Sequence, residues 1–80
     1  MNLTREQRTV LLVLTADWLT PKQIADQLPD ESGDLASVNQ ALKDLILAGL
    51  VQTNPVVFGL YRLTAEGIDV QELEVGINEN

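Results

Sequence analysis

The chain has no cysteine and no histidine, and only one residue each of Phe, Trp, Tyr and Met among its 80. Those absences exclude disulfides, thiolate or imidazole metal sites, a cysteine nucleophile and any Ser-His-Asp triad. Carboxylates, hydroxyls, amides and five basic side chains remain for chemistry. Carboxylates alone can run an enzyme, but they need a cleft, and a chain this short buries only about 60–65% of its unfolded surface. Neither enzyme activity nor a cofactor or metal is therefore expected. No apolar run approaches the roughly 20 residues of a membrane span. Met1-Asn2-Leu3-Thr4-Arg5-Glu6 lacks the basic-then-apolar order of a signal peptide, so a soluble, cytoplasmic protein is expected.

Positive charge is scarce as well: five bases face twelve acids, a net charge of −7. Phosphate neutralisation dominates nucleic-acid binding, so this sum argues against it. The placement of the charges matters more than their sum. Glu66, Asp69, Glu72, Glu74 and Glu79 carry no basic companion, which puts −5 on residues 64–80. Residues 1–63 hold seven acids against Arg5, Arg8, Lys22, Lys43 and Arg62, a net of only −2. Most of the acidity belongs to the C-terminus, and the body tolerates a DNA partner.

The 45% apolar content is that of a globular chain. Thr4-Arg5-Glu6-Gln7 has the form of a capping box and opens a helix to about Thr15, with Val10, Leu11, Val13 and Leu14 on one face and Leu12 on the other. Thr20-Pro21-Lys22-Gln23 opens a second, two-turn helix with Ile24, Ala25 and Leu28 inward and Pro29 as its stop. Asp34 caps a third, whose Leu35, Val38, Leu42, Leu45 and Ile46 share a face, and Gly49 supplies a left-handed end. Leu50–Thr53 and Leu60–Thr64 alternate as two strands around the tip Asn54–Gly59. Thr64-Ala65-Glu66 begins a last short helix to about Leu73. The expected division is a folded domain over 1–73 and a flexible acidic tail over 74–80.

The order of these elements, and three stretches of sequence, resemble the winged helix-turn-helix superfamily. Leu19-Thr20-Pro21-Lys22-Gln23-Ile24-Ala25 resembles the opening of its second helix. Val38-Asn39-Gln40-Ala41-Leu42-Lys43-Asp44-Leu45 with Ala48-Gly49-Leu50-Val51 resembles its third helix and the exit into the hairpin. Tyr61-Arg62-Leu63-Thr64-Ala65-Glu66-Gly67 is similar to the last strand and following helix of MarR-like and PadR-like regulators. The resemblance covers nearly the whole chain. It implies an α+β fold with a three-helix core, a two-stranded hairpin wing and a short C-terminal helix. It also implies a transcriptional regulator that binds double-stranded DNA, with the third helix in the major groove.

Carried onto this sequence, the groove-facing residues are Ser37, Asn39, Gln40 and Lys43, with Lys22 and Arg62 placed for phosphates. Asn and Gln suit adenine, and Lys suits guanine or phosphate. Some features depart from that pattern. Gln40 stands where Arg is frequent, and Asp44 and Leu47 are expected on the exposed face. The wing tip has no base and offers Val56, Val57 and Phe58. With Leu12 and Leu47 these make five apolar residues for a protein interface, unless the tip folds back on the core. A homodimer through the first and last helices, with Leu12, Ile68 and Leu73, fits the DNA reading; a protein partner at the wing is the alternative. The acidic loop Asp30-Glu31-Ser32-Gly33-Asp34 does not match a calcium-binding pattern, and Trp18 is expected as a core anchor.

Overall fold

The computed structural model describes residues 2–29 and 34–78. Six elements follow in order: α1 (Arg5–Val13), α2 (Pro21–Asp26), α3 (Leu35–Leu47), β1 (Val51–Thr53), β2 (Tyr61–Leu63) and α4 (Ala65–Asn78). Both capping boxes form. The Thr4 and Thr20 hydroxyls accept from the backbone N–H of Gln7 and Gln23, whose side chains accept in turn from the backbone N–H of each cap. Pro21 takes the first helical position of α2, where its missing N–H costs nothing. Asp34 caps α3 through the N–H of Ser37 at 3.2 Å. The rest of the acidic loop, Asp30 to Gly33, lies outside the described residues.

The end of α3 aims the hairpin. Gly49 sits at φ 81°. Its N–H donates to Ile46 O at 3.0 Å, and Leu50 N–H donates to Leu45 O at 3.0 Å. That pair of bonds satisfies two orphan carbonyls and turns the chain directly into β1. The strands pair antiparallel, with Val51 opposite Leu63, Gln52 opposite Arg62 and Thr53 opposite Tyr61. The outer edge of β2 is covered by the link after α1: Leu19 and Tyr61 exchange two backbone bonds of 2.9 and 2.8 Å, and Leu63 N–H donates to Thr15 O. An edge that would otherwise template aggregation is thereby closed.

One core joins these pieces. Val10, Leu11 and Leu14 of α1 and its exit meet Ile24, Ala25 and Leu28 around α2. Val38, Ala41, Leu42 and Leu45 of α3 complete it, with Leu50, Val51 and Leu63 from the hairpin. Trp18 is only half-buried and stands apart from this cluster, contrary to its expected role as a core anchor. α1 stops at Val13, short of Thr15, because Leu14 turns extended. The carbonyls released there are taken by α4: the Gln71 side-chain amide donates to Leu11 O at 2.9 Å and Leu14 O at 2.7 Å. α4 itself runs to Asn78, past the expected end near Leu73. On its inner side Val70 packs on the core, and Glu74 approaches Arg8 of α1 at 3.9 Å. Three helices, a two-stranded wing and a terminal helix make the α+β winged helix-turn-helix that the sequence pattern implied.

Candidate nucleic-acid interface

The face of α3 that the core does not use is set by helical arithmetic. Val38, Ala41, Leu42 and Leu45 are buried, so Ala36, Gln40, Lys43 and Leu47, spaced by four, three and four, form the opposite ridge. All four are exposed, as is Asn39 on the ridge's flank toward the wing. Three of the residues singled out from the sequence, Asn39, Gln40 and Lys43, therefore come together. Ala36 belongs with them and was missed; its position on the ridge was the available signal, but a lone methyl carries no chemical mark. Beside the ridge, a shallow groove of about 320 Å³ is lined by Asn39, Leu42, Lys43, Ile46, Leu47 and Tyr61.

The other predicted contacts are placed differently. Ser37 is half-buried, its N–H and hydroxyl both engaged by Asp34 Oδ2. It lines a cavity of about 220 Å³ with Arg5, Glu6 and Thr9 of α1, away from the ridge. Lys22 is exposed on α2 and lies 3.3 Å from Asp26 one turn on, an exposed pair of little energetic weight. Arg62 lies on β2 with its guanidinium carbon 4.2 Å from the centre of the Trp18 ring. The cation lies over the aromatic face, and this contact gives Trp18 its place at the surface.

Asp44 is not on the open ridge, as the sequence suggested, but half-buried on the flank toward α1. Its carboxylate accepts from Gln7 Nε2 at 3.0 Å and Gln40 Nε2 at 3.1 Å. Leu47 is 82% exposed. The wing tip does not fold back: Val56, Val57 and Phe58 are 83%, 53% and 93% exposed. The tip is nonetheless shaped, because Asn54 Oδ1 accepts from the N–H of both Val56 and Val57, and Asn54 N–H donates to Leu60 O. Leu12, by contrast, is half-buried.

Four of the C-terminal acids, Glu66, Asp69, Glu72 and Glu74, ride on α4, which packs on α1 and β2. Among the described residues no cluster of carboxylates could hold a metal ion, and no helix is long and apolar enough to cross a membrane.

With this geometry the chain is similar to two solved structures. One is the crystal structure of ZitR from Lactococcus lactis, described as a zinc-responsive MarR family member. It matches with a TM-score of 0.78 and 29% identity over 99% of this chain and 56% of ZitR. The other is RosR of H. salinarum, from crystals grown in NaBr. Its TM-score is 0.75 and its identity 28%, over 98% of this chain and 77% of RosR. This chain thus spans little more than half the length of ZitR. No family model and no curated protein matches the sequence. Element order, the turn at Gly49, the wing and these neighbours agree on a winged helix-turn-helix domain, similar to that of a MarR family member.

Proposed function

We propose that this domain binds double-stranded DNA as part of a transcriptional regulator, with α3 in the major groove. The observation that carries the reading is the α3 ridge: Gln40, Lys43 and the adjacent Asn39 project from a helix whose other face is fully committed to the core. Asn39 and Gln40 read base edges, and Lys43 meets guanine or phosphate. Lys22 and Arg62 take flanking phosphates, while Ser37, engaged by Asp34 and turned toward α1, drops out of the contact set. A single module makes few contacts, so a homodimer reading two half-sites follows. Ile68 and Leu73, both exposed on α4, and Leu12 on α1 are its apolar candidates. In this reading the protein acts in the cytoplasm as a regulator and not as an enzyme. ZitR's description as zinc-responsive is not carried over, because these 80 residues contain no thiolate or imidazole ligand.

An amide chemical-shift titration with mixed-sequence duplex DNA at low salt tests this reading. Non-specific binding with a dissociation constant of about 10⁻⁴–10⁻⁶ M lies within its range. Shifts at Ala36, Asn39, Gln40 and Lys43, reversed by added salt and weakened in Lys43→Ala, are expected. Silence at those residues refutes it.

The exposure of Phe58 and Val56 favours a second reading, in which the wing is the docking surface for a protein partner. Phe58→Asp then abolishes the complex while leaving the fold intact. A partner that binds the variant as well as the parent removes this reading.

A further inference from the structure

A side-chain amide offers an oxygen at one end and an NH2 at the other, and a half-turn about its last bond exchanges them. Adenine shows the major groove an acceptor and a donor, whereas guanine shows two acceptors. An amide whose outer edge holds its oxygen and one N–H matches adenine. An amide that turns only its NH2 outward matches guanine. The sense of the Gln40 amide is therefore sequence information.

That sense is fixed by a relay that begins in α1. The backbone N–H of Thr4 is a donor, so the Gln7 side chain must present Oε1 to it, and does at 3.0 Å. Gln7 Nε2 is left at the far end and donates to Asp44 Oδ2 at 3.0 Å, across the packing of α1 on α3. A carboxylate only accepts, so Gln40 must turn Nε2 toward Asp44 Oδ1, at 3.1 Å. Gln40 keeps its oxygen and one N–H for the exposed side.

We propose that Asp44 and Gln7 are positioning residues that hold the Gln40 amide in the adenine-reading sense. The proposal deepens the groove reading above and rests on it. It also gives a use to a carboxylate on a helix meant to approach phosphates, where a negative charge works against affinity. Asp44 touches no base. It determines what Gln40 shows to one.

The discriminating substitution is Asp44→Asn, which keeps the shape. The substituted side chain retains one oxygen, which the fixed N–H of Gln7 claims, so its new NH2 faces Gln40 and draws that amide's oxygen inward. The opposite arrangement sets two donors against each other and loses a hydrogen bond. The outward edge of Gln40 then becomes its NH2, which suits guanine. Loss of a negative charge meanwhile strengthens attraction to any duplex. Selectivity and affinity move in opposite directions, an outcome that damaged packing, which would lower both, does not produce.

The experiment selects bound sequences from a randomised duplex pool with the parent, Gln40→Ala and Asp44→Asn. The parent is expected to enrich adenine over guanine about tenfold or more at one position, as befits a bidentate contact. Gln40→Ala erases the preference and so locates that position. Asp44→Asn brings the ratio to parity or inverts it there, with equal or tighter binding to non-specific duplex. In the free protein, the same variant shifts the side-chain amide signals of both Gln7 and Gln40.

A full adenine preference in Asp44→Asn overturns the proposal, as do amide signals that stay in place. A parent that enriches no sequence overturns both the proposal and the groove reading. Amide shifts would then show only that the relay braces α1 against α3.

Discussion

Gly67 is the residue on which the seating of α4 depends. A Cβ built there would overlap the carbonyl oxygen of Leu50, and it would lie 2.9 Å from that carbonyl's carbon and 3.2 Å from Leu63 Cδ2. Leu50 has no room to retreat, since it is fully buried and its N–H is bound to Leu45 O. Its oxygen already accepts the N–H of Thr64, whose hydroxyl donates to Gly49 O and accepts from the N–H of Gly67. Gly67→Ala must lift the start of α4 off the hairpin and disturb this junction.

Overpacking of this kind costs about 1–3 kcal/mol, and contact with a fixed backbone belongs at the upper end. Alanine's helix propensity returns about 1 kcal/mol. The net loss is about 2 kcal/mol, or roughly 8–16 °C in melting temperature for a domain of this size. Gly76 in the same helix is the control. A Cβ there meets nothing within 4 Å, so Gly76→Ala gains up to about 1 kcal/mol from propensity alone. Thermal unfolding followed by circular dichroism separates the two. A Gly67→Ala protein that melts at or above the parent refutes the close approach of α4 to Leu50.

Two further substitutions probe the packing and the wing. Gln71→Glu replaces the donor to Leu11 O and Leu14 O with an anion facing two carbonyls, which should cost about 2 kcal/mol at neutral pH. The folded state raises the pKa of that carboxyl, so stability is retained below the unfolded value of about 4.3 and lost as pH rises through the higher folded value. Denaturant melts across that range check the sign. Phe58→Asp, at a site 93% exposed, should change stability by no more than about 0.5 kcal/mol in the same melts, which makes any loss of binding attributable to the surface.

Much of this architecture could be read locally. Thr4 with Gln7, Thr20 with Pro21 and Gln23, and Gly49 each encode their geometry within a few residues, and each forms as the pattern implied. The ends of α1 and α4 could not be read this way. The carbonyls freed at the end of α1 are taken by Gln71, roughly 60 positions on, which no local window contains. Asp44 misled for the same reason. Its helical angle places it near the boundary of the exposed face, and only the packing of α1 shows that Gln7 draws it inward. Trp18 looked like core because large aromatics usually are. Its partner Arg62 lies on β2, which the bridge between Leu19 and Tyr61 sets beside Trp18.

An acidic protein that binds DNA must do so with few cations, and their number has a measurable consequence. Each phosphate neutralised contributes about −0.9 to the slope of log affinity against log salt concentration. Lys22, Lys43 and Arg62 supply three such contacts per copy, so a single domain should show a slope of about −3 and a two-fold pair about −5. Lys22 is the contested member of that count, because Asp26 lies 3.3 Å away and competes for it. The exposed pair is weak enough for a phosphate to displace, and Lys22→Ala should then flatten the slope by about 1 per copy. An unchanged slope would leave Lys22 with Asp26 and shift the contact to another base. A slope near zero would remove DNA altogether, because no arrangement of these five cations binds phosphate without releasing counterions. The slope thus counts copies and contacts together, and comparison with sedimentation of the free protein separates the two.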